Sequence, residues 1–193
     1  MKKHALMLFA VCLLIGTQAL GKGTTRETVD VVGQSSAGPV VSENGATLIR
    51  GKKGVTISLS MPTPMAGTYT YPDVAVPGHP EVFTGWAFVF NYPHLCTDPC
   101  NSDDIGDTPA QGGAYNIAGH VSGGGNLQMV GHISTGETPF GAGHAPLQNP
   151  RGAEIHVAIA PHGMLDPSIM PAQIKTPVGP GIHWWLAFFI PAP

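Results

Sequence analysis

Nine histidines stand in this 193-residue chain, as many as its lysines and arginines together. His120, His132, His144 and His156 are each twelve residues apart, and His162 follows. The first two sit in related phrases, Ala-Gly-His-Val-Ser-Gly-Gly from 118 and Val-Gly-His-Ile-Ser-Thr-Gly from 130, a local echo rather than a repeat architecture. Imidazole titrates near neutrality and, when neutral, is the commonest protein ligand for transition metals. With a carboxylate such as Glu154 beside it, it suits zinc or copper, at about 2.0–2.2 Å from zinc. Glu154 could equally orient a histidine without touching the ion. Compact ligand motifs such as His-x-His or His-Glu-x-x-His are absent.

Whether these side chains meet depends on the strands that carry them. Short β-branched or aromatic runs alternate with Gly and Pro along the chain, the pattern of a sandwich or barrel. Residues 54–60 alternate, with Val55, Ile57 and Leu59 on one face. Residues 68–71 form a second short run, and 82–90 are apolar on both faces, as in a central strand. Runs 114–122 and 127–134 suggest a hairpin across Gly123–Asn126. Pairing Ser122 with Leu127 would put His120 and His132 on opposite faces. Pairing Ser122 with Gln128 instead matches Ile117, Gly119 and Val121 to Ile133, Gly131 and Met129, and this hydrophobic match favours the second register. His120 would then lie diagonal to His132, about 7–8 Å away at the backbone. On 153–160, Ile155, Val157 and Ile159 share one face, while Glu154, His156 and, past Pro161, His162 share the other. Residues 182–190 make the last strand. Two readings stand: histidines hydrogen-bonded or solvated on a sheet, or a site using at least two of His120, His132, His156 and His162.

The remaining chemistry is thinner. Asp98, Asp103, Asp104 and Asp107, with Gly106, form either a solvated acidic loop or a calcium wrap, though not at the helix-flanked loop spacing. Serine-nucleophile phrases are incomplete, and nothing supports a paired-glutamate glycosidase. Trp86, Trp184, Trp185, Tyr69 and Tyr71 are core aromatics or a sugar-stacking surface; adjacent Trp184 and Trp185 point opposite ways, so at least one is core. His79 and His94 read as loop residues, and His183 as a packed edge residue.

Lys2 and Lys3, an apolar run from Ala5 to Gly16 and small residues at Ala19 and Gly21 describe a secretory leader cleaved after Gly21. The run is too short to span a membrane, and Val11 before Cys12 argues against a lipoprotein. Export would leave seven basic against twelve acidic residues, with no basic cluster beyond Lys52-Lys53 and so no footprint for nucleic acid. No later stretch is apolar enough to cross a membrane. Cys96 and Cys100 then pair as a disulfide fixing a local turn. Gly 26 and Pro 19 with only 11 % charged residues exclude a helical bundle, and 42 % hydrophobic residues exclude a charge-driven disordered chain.

The phrases Pro77–Cys96, with Phe-Asn-Tyr-Pro at 90–93, and Asn149–Gly163, with Gly-Ala-Glu-Ile-His at 152–156, resemble a group of small exported bacterial β proteins over roughly residues 54 to 163. That resemblance implies export and a β fold. Glu154-Ile-His-Val and His162-Gly163 also resemble the histidine-bearing strand of CHRD (chordin-type) domains, without its His-x-His.

The sequence therefore predicts a leader over 1–21, a loose amino-terminal arm over 22–45, and one all-β domain over 46–193, an antiparallel β-sandwich or barrel. The expected function is an exported binding or interaction module holding zinc or copper through His120, His132, His156 and His162 with Glu154. The alternative is a small metal-dependent extracellular enzyme in which Glu154 is the general base.

Overall fold

The computed structural model describes residues 23–33, 37–65, 80–97, 99–175 and 185–191. They form an all-β fold with eight strands: β1 Thr25–Gly33, β2 Val40–Arg50, β3 Gly54–Pro62, β4 Glu81–Phe90, β5 Gly112–Val121, β6 Asn126–Ser134, β7 Glu154–Met164 and β8 Trp185–Phe189. Every pairing is antiparallel, and the order across the sheet is β5, β4, β7, β8, β1, β2, β3, β6. The sheet curls until its two ends nearly meet, so the sandwich-or-barrel expectation resolves to a barrel-like form.

Period-two alternation builds the interior. On β3, Val55, Ile57, Leu59 and Met61 turn inward, and β6 answers with Leu127, Met129 and Ile133. β4 is buried on both faces, as its composition requires of a central strand, and it lies between β5 and β7. Trp185 reaches the interior beside Phe83, with ring centroids 6.1 Å apart, while Trp86 packs under Phe140 at 5.4 Å. Both described tryptophans are thus core residues; Trp184, Tyr69, Tyr71, the run 68–71 and the expected leader over 1–21 lie outside the described residues.

Two expectations need correction. The segment read as a loose arm contains β1 and much of β2, and β1 pairs with both β2 and β8 inside the sheet. Its outward residues Arg26, Thr28 and Asp30 hide the inward set Glu27, Val29 and Val31 from a reading by composition. Nor do β5 and β6 form the expected ladder. β5 pairs with β4 and β6 with β3, so the two strands lie at opposite ends of the order and approach only where the barrel closes. Gly131 makes that approach possible, because a Cβ there would lie 2.6 Å from the Cβ and carbonyl oxygen of Ile117. His120 Nδ1 lies 3.2 Å from the Gln128 carbonyl, which fixes it as the donor across this seam.

The end of the barrel beside Leu48 and Val55 is capped by a buried cation. Arg50 is 1 % exposed, and all five of its N–H donors find acceptors. Nε donates to Glu27 Oε1 at 2.5 Å, and Nη2 to Glu27 Oε2 and to the Phe189 carbonyl at 3.3 and 3.4 Å. Nη1 donates to the carbonyls of Pro150 and Ala153 at 3.2 and 2.6 Å. One side chain of β2 thereby ties β1, the approach to β7 and the end of β8. Replacing Arg50 by Met would strand Glu27 and three carbonyls, with an expected loss of about 3 kcal/mol. Urea unfolding at unchanged m-value measures it, and Arg50→Lys, with three donors for five contacts, should recover only part.

Candidate functional site

Glu154 opens β7 on the face turned away from the interior. Its neighbour across the sheet is Phe90, the last residue of β4. Beyond Phe90 the chain turns through Asn91 and Tyr92 into a short 3-10 turn, Pro93–Leu95. Buried Asn91 fixes that turn. Its amide nitrogen donates to the carbonyls of Gln111 and Pro146, both at 2.9 Å, and its oxygen accepts from the backbone N–H of Gln148 and Asn149. Asn149 Oδ1 in turn accepts from Gly152 N–H at 3.0 Å and shapes the entry to β7. These two turns and the end of β8 enclose a cleft of about 330 Å³ lined by Tyr92, His94, Asn149, Glu154, Ile190 and Pro191 among others.

The Glu154 carboxylate lies on the floor of this cleft, only 7 % of the residue exposed, and accepts from His156 Nε2 at 2.6 Å. The His156 ring is held edge to face by Phe90 and Phe188, with centroids 5.1 and 4.7 Å away. Burial pushes the His156 imidazole below its ordinary value; the Glu154 hydrogen bond and charge pull the other way without overcoming it. The short contact between His156 Nε2 and Glu154 Oε1 positions the carboxylate. On the cleft wall, Tyr92 and His94 pack edge to face at 6.3 Å. An anionic floor beside an aromatic wall can hold a small cation, by charge below and by the ring faces above.

The expected ligand histidines are dispersed. His120 is half-buried at the seam, donating to Gln128. His132 is exposed on β6, 2.9 Å from the Thr56 hydroxyl of β3. His162 is buried near the end of β7, its Nδ1 without a hydrogen-bond partner among the described residues, and burial lowers its pKa against a weaker opposing effect of a hydrogen bond to the Gln173 backbone. Of the five candidates, the fold brings Glu154 and His156 together. Among the described residues, no three His, Cys, Asp or Glu side chains form a group able to hold a metal ion. His144 accepts from Ala114 N–H at 3.4 Å in a loop, whereas His79 and His183 lie outside the described residues. His94, read from sequence as a plain loop residue, lines the same cleft as Glu154. Two stretches far apart in sequence meet there, since Phe-Asn-Tyr-Pro-His and Gly-Ala-Glu-Ile-His abut through the Phe90 and Glu154 pairing.

Cys96 and Cys100 form the disulfide, and a buried carboxylate organises the loop around it. Asp104 accepts from Thr97 N–H, the Thr97 hydroxyl and Asn101 N–H, each at 3.0 Å. Asp103 and Asp107 are exposed and Asp98 lies outside the described residues, so the one described carboxylate turned inward serves the loop itself. Compared with known protein families, curated proteins and solved structures, the chain matches none.

Burial alone would raise the Asp104 pKa, but these three hydrogen bonds hold it below its ordinary 3.8. Its contribution to stability is whole above the unfolded-state value and disappears as pH falls through the lower folded value. Asp104→Asn should therefore destabilise the protein by about 2 kcal/mol at neutral pH. Urea midpoints measured against pH should show the gap between Asp104→Asn and the parent closing below about pH 4.

Proposed function

We propose that this chain is an exported binding module that takes a small cationic ligand, an amine or ammonium group, in the cleft floored by Glu154. The observation that carries this reading is the Glu154 carboxylate itself, nine-tenths buried yet lining an open cleft, and oriented by His156 at 2.6 Å. An ionised carboxylate is costly to bury unless it is paired or hydrogen-bonded. His156 meets part of that requirement, and a cation entering beside Tyr92 and His94 would meet the rest. Export is supported by the amino-terminal Lys2-Lys3 and apolar run, and the Cys96–Cys100 disulfide is consistent with an oxidising compartment.

A zinc or copper ion is the competing occupant. It would use a Glu154 oxygen and a His156 nitrogen, but among the described residues no third His, Cys, Asp or Glu side chain joins that pair. The thin donor set favours the organic cation over the metal, and over an enzyme using Glu154 as a base toward metal-bound water.

Amide and side-chain NMR shifts of the purified protein, titrated with a primary alkylamine and with tetramethylammonium, test the reading. Saturable shifts are expected at Tyr92, His94, Asn149 and Gly152, weakened about tenfold or more in Glu154→Gln. Equal binding by Glu154→Gln would overturn it. Stoichiometric zinc or copper, lost in His156→Ala, would replace it with the metal reading.

A further inference from the structure

A second cleft lies on the exposed face of the opposite half of the sheet, and its chemistry is reversed. Arg26, Ile49, Thr56 and His132 form one outward row across β1, β2, β3 and β6, each paired in register with the next. At the end of this row the turn between β2 and β3 presents Lys52 and Lys53, both exposed. Together with Gly23, Thr24, Ile49, Gly51, Gly54, Thr56 and His132 they line a cleft of about 420 Å³. Arg151 arrives from the loop before β7 and donates to the Gly23 carbonyl. A Cβ at Gly23 would touch the Arg151 guanidinium on one side and lie 3.9 Å from Lys52 Cε on the other, so these two cations flank the same residue.

The chain is acidic overall, which makes this gathering of cations informative. Seven basic residues follow position 21, and four of them come near this cleft from three separate places in the sequence: Lys52 and Lys53 line it, Arg26 pairs with its lining residue Ile49, and Arg151 bonds to its lining residue Gly23. Among the described residues the ion pairs are Arg50 with Glu27 and His156 with Glu154, so none of these four cations has a carboxylate partner there. Glu137, which follows the bond from Thr135 N–H to the Lys53 carbonyl, accepts from Ser134 N–H instead. Like charges held around a concave surface focus a field that attracts a counter-ion. Hydroxyl and imidazole groups on the floor add hydrogen bonds suited to tetrahedral oxyanions, with Thr56 and His132 already aligned by their 2.9 Å contact.

We propose that this cleft is an anion site for a small ligand bearing phosphate or sulfate groups, bound by Lys52 and Lys53 with Thr56 and His132 on the floor and Arg26 and Arg151 at the rim. It is independent of the Glu154 cleft in both residues and charge, so either site can fail without the other.

The test uses the purified protein at low salt, with inorganic pyrophosphate, a sulfated disaccharide and a short oligothymidylate as separate probes, followed by amide NMR. Pyrophosphate or the disaccharide should give saturable shifts at Gly51, Gly54, Thr56 and His132, leaving Tyr92 and Asn149 unmoved; the tighter of the two identifies the anion source. The Lys52→Gln, Lys53→Gln double variant changes exposed side chains and should fold as the parent does. It should bind about tenfold more weakly, as should the parent when salt is raised about tenfold. His132→Gln should weaken binding by a smaller factor. Absence of saturable shifts, or affinity unchanged in the double variant, would overturn the proposal. So would oligothymidylate binding that tightens with length and exceeds pyrophosphate, because that result describes an extended polyanion surface.

Discussion

The buried Arg50 guanidinium is the constraint on which most of the architecture rests. A cation enclosed by protein is tolerable only when its donors are met, and here Glu27 and three backbone carbonyls meet all five. Those acceptors come from β1, from the loop and residue preceding β7, and from the last residue of β8. The carbonyls it holds belong to Pro150, Ala153 and Phe189, which immediately precede Arg151, Glu154 and Ile190. Its own neighbours in sequence, Ile49 and Gly51, line the basic cleft. One side chain therefore sets the backbone on both sides of the acidic cleft and stands between two residues of the basic one.

With charge scarce, several of the few carboxylates have a specific local assignment. Glu27 serves Arg50, Asp104 serves the disulfide loop, Glu154 serves the cleft floor with His156, and Asp30 accepts from Asn44 N–H at 2.7 Å. Carboxylates used in this way bond to backbone or to one chosen partner instead of screening surface lysines. The cations of the turn between β2 and β3 are left to dominate their own corner. A chain with a denser surface of mixed charge would neutralise such a corner through ordinary exposed pairs, each worth little to stability.

Much of this fold was legible in the residues. Alternation placed Val55, Ile57 and Leu59 inward, the doubly apolar run 82–90 marked β4 as central, and the spacing of the two cysteines marked the disulfide. What period-two patterning supplies is a face, not a partner. The match of Ile117, Gly119 and Val121 to the strand after them satisfied that criterion, yet β4 offered β5 a longer apolar ladder and left β6 to β3. Without that hairpin, the twelve-residue spacing of His120 and His132 lost its geometric meaning, since register alone decides whether two imidazoles converge. His94 escaped notice for the opposite reason, being sixty residues from Glu154 in a turn with no periodicity at all. Arg50 closes an otherwise apolar alternation, and no local pattern announces that its partners lie as far along the chain as Pro150, Ala153 and Phe189.

The two clefts differ in sign while sharing a common anchor, and this bears on how the molecule can work. A single extended ligand would need its charge to reverse along its length to satisfy both a carboxylate floor and a pair of lysines. Two separate small ligands need no such pattern. Each cleft instead rests on a rigid part of the sheet: β4 and β7 on one side, and β1, β2, β3 and β6 on the other. Because Arg50 already has all five donors satisfied, it acts by fixing the backbone beside both clefts. The sheet places the two clefts on different strands, so the carboxylate of one and the lysines of the other form no ion pair among the described residues.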